Sequence, residues 1–188
     1  MNSAKQIIEK ESFKSVTFSN IAKLTKLSRP SIYKYYQFPE EILSNILEIE
    51  FSAFNDELAA LKPTTLAELQ TALVSNILKR DLMMKLLAIN FSIIEDNIRE
   101  EPFLAFKQQI FRFMNIIETQ IKLVTTTMKH SEIERIKYSL LTMMAAIYPV
   151  THDDGNHVAL MQNTNPQFYK PDYEELLTEN IAQIFKVL

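Results

Sequence analysis

The chain has 188 residues with a net charge of −3, one glycine, seven prolines, and neither cysteine nor tryptophan. A hydrophobic fraction of 47% with 23% charged residues can form a buried core and excludes a disordered or collagen-like chain. Because one glycine, Gly155, cannot supply the positive φ angles of hairpins and phosphate-binding loops, a multi-stranded sheet, a P-loop and a dinucleotide fingerprint are excluded. The composition therefore predicts an all-α protein.

The missing cysteines exclude a disulfide framework, a thiolate zinc site and a cysteine nucleophile. No apolar stretch approaches the roughly 20 residues that cross a bilayer, and Lys5 places a charge too early for the core of a signal peptide. We therefore expect a soluble, cytoplasmic protein that has no membrane contact and no cofactor.

Charge is divided unequally along the chain. Residues 1–47 hold seven basic and four acidic side chains, whereas residues 48–188 hold 13 basic and 19 acidic ones. Residues 12–39 contain five basic side chains and no acidic one. A basic segment of this kind indicates contact with a polyanion such as DNA. We call residues 1–47 the head and residues 48–188 the body, and predict that each is a domain.

Three short helices are predicted in the head. Apolar spacing around Ile7 indicates the first. Thr17 is placed to cap a second helix over about 18–25, and Ser28 to cap a third over about 29–36. Two short helices joined by a tight turn have the size and spacing of a helix-turn-helix motif.

A long fourth helix is predicted to begin at Pro39 and to continue to about Leu61, joining head and body. Glu40 and Glu41 in its first turn complement the helix dipole. At ~1.5 Å per residue, such a helix could carry a displacement from one domain to the other.

Helices in the body are marked by their first turns. Thr65, Ser131 and Asp172 are each followed three residues later by Glu, the spacing of a capping box, which predicts helix starts at about 66, 132 and 173. One more helix is predicted over 81–97 and another from Pro102.

Residues 149–171 are predicted to form a loop, which contains His152, Asp153 and His157. Imidazole and carboxylate groups at these separations could ligate a divalent ion or take part in acid–base chemistry. A helical metal-dependent enzyme, or a ligand-binding protein that uses these residues, is therefore the alternative function. The predicted loop contains only two histidines, and they do not have the i, i+4 spacing of ligands on a helix. We therefore interpret His152, Asp153 and His157 as solvated loop residues and expect neither a metal site nor an enzyme.

The third helix carries the groups that a recognition helix needs. Arg29 can donate to guanine O6 and N7, and Ser31 can contact a base or a phosphate. The hydroxyls of Thr17, Tyr33 and Tyr35 and the ammonium group of Lys34 can bind phosphates. Such contacts position a protein on DNA without reading its sequence. Alternatively these are ordinary surface residues, with Tyr33 and Tyr36 packed inside the head. The predicted DNA-binding residues are Thr17, Ser28, Arg29, Pro30, Ser31, Tyr33, Lys34 and Tyr35.

The run from Val16 to Tyr36, followed by Glu40-Glu41-Ile42-Leu43, resembles the DNA-binding head of the TetR family of transcriptional regulators. The matching positions are Thr17, Ile21-Ala22, Ser28 and Tyr33-Lys34-Tyr35-Tyr36. Three positions depart from the family pattern. Ser15 and Lys26 stand near the positions of the usual glycines, and Pro39 stands where a phosphate-contacting lysine commonly opens the fourth helix.

The resemblance implies an N-terminal helix-turn-helix domain joined by a long helix to a helical domain that binds ligand and dimerises. It implies a homodimeric repressor that reads palindromic double-stranded operator DNA and is released by a small effector. Methionine and aromatic side chains in the body favour an apolar or amphipathic effector, although such stripes also form ordinary core. The candidate effector residues are Phe91, Phe106, Phe113, Met114, Tyr138, Met144 and Tyr148.

Two apolar stripes, on the helices at 132–148 and 173–188, could form half of an isologous four-helix interface. They could equally face the core of their own protomer. The candidate dimer residues are Ile136, Leu140, Ile147, Leu177, Ile181, Ile184 and Phe185.

Overall fold

A computed structural model of the protein describes residues 1–25, 27–152 and 155–186. These residues form helices and no strand, which confirms the all-α fold. The helices are α1 (Asn2–Lys10), α2 (Phe18–Leu24), α3 (Arg29–Tyr33), α4 (Pro39–Ala60), α5 (Leu66–Leu78), α6 (Asp81–Ile89), α7 (Glu100–Val124), α8 (His130–Thr151), α9 (Gly155–Thr164) and α10 (Tyr173–Ile184).

The head is built on the predicted caps. Thr17 Oγ1 accepts a hydrogen bond from the N–H of Asn20 at 3.2 Å and starts α2. Ser28 Oγ accepts one from the N–H of Ser31 at 3.4 Å and starts α3. The third helix is shorter than predicted. The N–H groups of both Tyr35 and Tyr36 bond to the carbonyl of Ile32, which tightens the chain into a turn after Tyr33.

Helix α4 is continuous from Pro39 to Ala60, so it crosses the predicted boundary between residues 47 and 48. Its 22 residues span ~33 Å. It packs mainly against α7. Gln120 of α7 closes its C-terminal end, since its Nε2 donates to the carbonyls of Leu58 at 3.0 Å and Leu61 at 3.4 Å. The carbonyl of Leu58 also accepts from the N–H of Leu61 at 3.3 Å, whereas that of Leu61 lies beyond the end of the helix and gains a partner in Gln120.

The core of the body is centred on aromatic rings of α4 and α7. Phe51 lies edge-on to Phe54, Phe106 and Phe113, with ring centroids 5.6–5.8 Å apart. Edge-to-face pairs of this kind add ~0.5–1.5 kcal/mol each beyond burial alone. Around this pair of helices, α6 packs on α8, and α10 packs on α5 and α8.

Residues 81–97 do not form the single helix that was predicted. Helix α6 ends at Ile89, followed by a π-helical turn over Asn90–Ile94 and a 3₁₀ turn over Glu95–Asn97. The wider turn leaves Ile94 fully buried while Phe91 stays exposed. It is held by the buried Asn90, whose Nδ2 donates to Glu95 Oε1 at 2.5 Å.

Two of the three predicted capping signals are confirmed. Thr65 accepts from the N–H of Glu68 and starts α5, and Asp172 accepts from the N–H of Glu175 and starts α10. The third signal is wrong. Helix α8 begins at His130 instead of 132, because the N–H of Lys129 donates to Glu132 Oε2 at 2.6 Å.

The predicted loop over 149–171 is largely helical. Helix α8 continues through Pro149 to Thr151, and α9 occupies Gly155–Thr164. Proline removes one hydrogen bond from a helix interior. Its position in the last turn of α8 limits that cost, and the hydroxyl of Thr151 adds a bond to the carbonyl of Ile147 at 2.9 Å.

Candidate nucleic-acid interface

Helix α3 presents polar and basic side chains on the surface of the head. Ile32 is 4% exposed and packs into the head core. Arg29, Pro30 and Lys34 are exposed around it. Ser28 Oγ lies 2.9 Å from Ser31 Oγ at the start of the helix. The predicted base-contacting Arg29 is therefore exposed at the start of α3, and the predicted phosphate-contacting Lys34 is exposed just after its end.

The described cations of this surface have no counter-charge among the described residues. Among the described residues, Lys14, Lys23, Arg29 and Lys34 form no ion pair. Lys26, the remaining basic residue of the 12–39 segment, lies outside the described residues. By contrast, Lys5 on α1 pairs with Glu50 of α4 at 2.5 Å. A positive surface without internal counter-charges suits a polyanionic partner.

The tyrosines at the end of α3 divide between surface and interior. Tyr35 is 75% exposed, and Tyr33 is 57% exposed with its ring edge-on to Phe18 at 4.7 Å. Tyr36 instead donates to Asn45 Oδ1 of α4 at 3.1 Å. Burial, and secondarily the negative charge of Glu41, raises the pKa of Tyr36. The inward packing weighed for Tyr33 and Tyr36 therefore applies mainly to Tyr36.

An ion pair between a buried carboxylate and a partly exposed guanidinium joins the head to the body. Glu41 of α4 is 1% exposed, and Arg99, at the start of α7, binds it through two nitrogens. The Nε–Oε1 and Nη2–Oε2 distances are 2.6 and 3.0 Å. Burial raises the pKa of the Glu41 carboxyl, but hydrogen bonds from the Arg99 side chain and from the N–H groups of Gln37 and Arg99 outweigh it and lower this pKa. Glu41 was predicted only as a complement to the helix dipole, and Arg99 was not predicted at all.

The candidate effector residues do not form one site. Phe106, Phe113 and Met144 are at most 1% exposed and Met114 is 8% exposed, so these four belong to the core of the body. The other three are apart. Phe91 is exposed on the π-helical turn, Tyr138 is exposed on α8, and Tyr148 stacks on His152. Apolar periodicity identified buried positions in the body and could not separate core from ligand site.

Two open grooves lie on the body instead. One, of about 430 Å³, lies between the end of α4 and the outer face of α7. The other, of about 540 Å³, lies between α8 and α10. The first is lined by Ala59, Gln108, Phe111, Arg112, Asn115, Ile116, Thr119 and Gln120. The second is lined by Tyr138, Ser139, Thr142, Met143, Ala146, Ile147, Val150, Leu176, Asn180 and Ile184.

Most candidate dimer residues lie inside the protomer. Ile136, Leu140, Leu177 and Ile181 are fully buried, and Ile147 and Phe185 are at most 4% exposed. Only Ile184 is partly exposed. The apolar stripes of α8 and α10 therefore face mainly the core, although Ile147 and Ile184 also line the second groove.

His152, the residue that follows α8, lies in an aromatic cluster. Its ring stacks on Tyr148 with centroids 3.9 Å apart and meets Tyr173 edge-on at 4.7 Å. Its Nε2 is 3.6 Å from Asp81 Oδ1. Burial, followed by the charge of Asp81, raises the pKa of both Tyr148 and Tyr173 to about 12.

The two histidines of the predicted motif lie on different segments. His157 lies on α9, whereas His152 follows α8, and Asp153 lies outside the described residues. Within the part of the chain that the structure describes, no group of three His, Cys, Asp or Glu side chains could hold a metal ion. In the same part of the chain, no helix combines the length and hydropathy needed to span a membrane.

The architecture is that of helical regulators that carry a helix-turn-helix head on a larger helical body. Residues 46–186 match the model of the tetracyclin repressor-like C-terminal domain. The chain therefore belongs to the TetR family, as the resemblance of the head implied. No curated protein matches the chain in sequence.

Proposed function

We propose that the protein is a DNA-binding transcriptional repressor whose head places α3 in the major groove of operator DNA. The observation that carries this proposal is the exposed surface of α3, where Arg29 at its start and Lys34 after its end have no counter-charge among the described residues. Arg29 reads guanine by donating to O6 and N7. Thr17, Ser28, Tyr33, Lys34 and Tyr35 hold phosphates, which fix the orientation of the head. Pro30 sets the first turn of the helix, and Ser31 contacts a base or a phosphate.

Membership of the family supports a homodimer that places two heads on a palindromic site. The partner face proposed here is the groove between α8 and α10. Tyr138 and Val150 are exposed there, at 63% and 55%, beside Met143 and Leu176. Exposed apolar side chains grouped on one face mark an interaction surface more reliably than single ones do.

The proposed effector is a small amphipathic molecule, and the proposed site is the groove between α4 and α7. Phe111, Ile116 and Ala59 supply apolar walls, and Arg112 supplies a cation that is shared with Asp56. Its size falls within the ~300–1,000 Å³ of ordinary ligand sites. Because α4 also belongs to the head, a ligand wedged beside it can change the orientation of the head.

DNA binding is tested with the double variant Arg29→Ala/Lys34→Ala. Loss of a bidentate guanine contact costs ~1–3 kcal/mol, and loss of a phosphate contact lowers the salt slope by about one. We expect the affinity for DNA fragments selected from a random pool to fall at least tenfold, measured by fluorescence anisotropy at several salt concentrations. Lys79→Ala/Lys129→Ala removes two positive charges from the body and serves as the control. Unchanged binding of the first variant to every selected fragment would refute the proposal.

A further inference from the structure

The contact between Arg99 and Glu41 reaches the segment that carries proposed phosphate contacts. Besides binding Glu41, Arg99 donates through Nη2 to the carbonyl of Tyr35 at 3.2 Å. The Oε2 atom of Glu41 accepts a hydrogen bond from the N–H of Gln37 at 2.7 Å. Both ends of the turn between α3 and α4 are thus bonded to a single ion pair.

We propose that Glu41 and Arg99 are positioning residues for DNA binding. They clamp the α3–α4 turn to the start of α7 and thereby fix the orientation of α3 relative to the body. This inference rests on the proposed function, because the orientation of α3 matters only when the head docks on DNA. The clamp is the set of contacts that Arg99 and Glu41 make with each other, with Tyr35 and with Gln37.

The chemistry of the pair favours positioning over simple stabilisation. Burial of the Glu41 carboxylate is costly, and its attraction to Arg99 is partly screened because the Arg99 side chain is 38% exposed, so the pair is a weak source of stability. What the pair provides is a fixed orientation of the α3–α4 turn relative to the start of α7. The planar guanidinium binds both carboxylate oxygens while one of its nitrogens also reaches Tyr35. A lysine keeps the charge but offers a single nitrogen without this fork.

The location of the clamp links it to both domains. Arg99 follows the 3₁₀ turn Glu95–Asn97 and immediately precedes α7, the helix that packs along α4. Its own backbone N–H donates to Glu41 Oε1 at 3.3 Å. A shift of α7 relative to α4 must therefore displace the turn that follows α3, and loss of the clamp must free that turn.

The test compares Arg99→Lys and Glu41→Gln with Arg80→Lys. Arg80 also binds carboxylates of α4, Glu50 and Glu57, but within the body. We expect Arg99→Lys and Glu41→Gln to weaken DNA binding about tenfold, with the salt slope unchanged because no phosphate contact is removed. Arg80→Lys should bind DNA like the wild type. The double variant Arg99→Lys/Glu41→Gln should lose less than the product of the two single losses, as expected of residues in contact.

Hydrogen exchange provides a readout that does not depend on DNA. Amides of residues 34–38 should exchange faster in Arg99→Lys than in Arg80→Lys, while the core of the body keeps its protection. If the wild type binds no DNA, the proposed function fails and the clamp proposal fails with it. If the wild type binds and the folded clamp variants bind equally well, or if exchange at 34–38 is unchanged, only the clamp proposal is overturned.

Discussion

Lys137 is a cation almost enclosed by the body. It is 6% exposed on α8, and it binds Glu118 of α7 at 3.1 Å as well as Glu134 one turn earlier on α8. Glu118 also binds Lys122 at 2.6 Å. Hydrogen bonds from Lys122 and Lys137 lower the pKa of Glu118 to about 2. Two residues that periodicity would place on the surface thus join α7 to α8.

Because of this network, the free energy of unfolding should decrease as the pH falls. Because the pKa of Glu118 is lower in the folded than in the unfolded chain, its contribution is complete above the unfolded value of 4.5 and is lost as the pH falls toward 2. In Lys137→Met the carboxylate loses one counter-charge and its pKa rises. Because Lys122 still lowers this pKa, we expect the free energy of unfolding in urea to fall less between pH 7 and pH 3 than in the wild type, by at most about 1 kcal/mol.

Lys79→Met, at an exposed position of the body, is the control for this measurement and should keep the wild-type dependence on pH. Equal losses of stability in Lys137→Met and in the wild type would contradict the assigned role of the pair.

At the scale of single residues, local signals were predictable and distant ones were not. Thr17 and Ser28 could be assigned as caps because the acceptor and the N–H that it binds are three positions apart. Glu41 and Arg99 are 58 positions apart, and no spacing in the chain relates them. Only the packing of α7 along α4 brings them together.

At the scale of elements, the packed pair α4 and α7 carries an ion pair at one end and an open groove near the other. The clamp lies at the start of both helices, and the 430 Å³ groove lies where α4 ends. Gln120 lines this groove, and its Oε1 atom is buried without a hydrogen-bond partner among the described residues. Such an unpaired acceptor costs ~1–3 kcal/mol. A ligand N–H or O–H that reached this atom would recover part of that cost.

The groove can be probed with 8-anilinonaphthalene-1-sulfonate, which carries apolar rings, an N–H donor and an anionic group. We expect its fluorescence to rise on binding the wild type and to rise far less with Ala59→Trp, whose indole fills the groove. Ala60→Trp places the same side chain one residue away, outside the lining, and should bind the probe normally. Equal binding by the two tryptophan variants would place the probe elsewhere.

Most helices could be predicted from apolar spacing and caps, whereas the interruptions could not. The π-helical turn at Asn90–Ile94 depends on a buried amide that bonds to Glu95, a carboxylate held in turn by Lys107 of α7. Helix α9 has few apolar positions that would distinguish it from a loop. At Asn90–Ile94 tertiary contacts decide the structure more than local pattern does, whereas residues 159–164 of α9 are exposed.

At the scale of the whole molecule, dimerisation through α8 and α10 should determine how tightly DNA is bound. We expect Tyr138→Glu to place a charge in the α8–α10 face and halve the mass measured by sedimentation equilibrium. DNA affinity should fall by ~10²-fold or more, because two linked heads bind with a high effective concentration. Leu123→Glu changes an equally exposed apolar residue on α7 and should remain dimeric. A dimeric Tyr138→Glu variant would exclude this face.

The all-α architecture could be predicted from composition, and the unequal distribution of charge is visible in the sequence itself. Whether each apolar stripe packs within the protomer or against a partner could not be predicted. Ile136 and Leu140 of α8 have the spacing of an interface, yet they are fully buried in the protomer. Burial within a chain and burial between chains produce the same periodicity, so only the packed structure distinguishes them.

Helix α4 continues without a break through the predicted domain boundary, and this continuity limits how heads and bodies of the family can be exchanged by fusion. A head from a relative could be fused to this body only in helical register. Each residue inserted within Pro39–Ala60 turns the head by ~100° and moves it by ~1.5 Å. Insertion of one residue would therefore turn the two recognition helices of a dimer away from a common face of the DNA. Insertions of three or four residues would nearly restore their direction but change their separation.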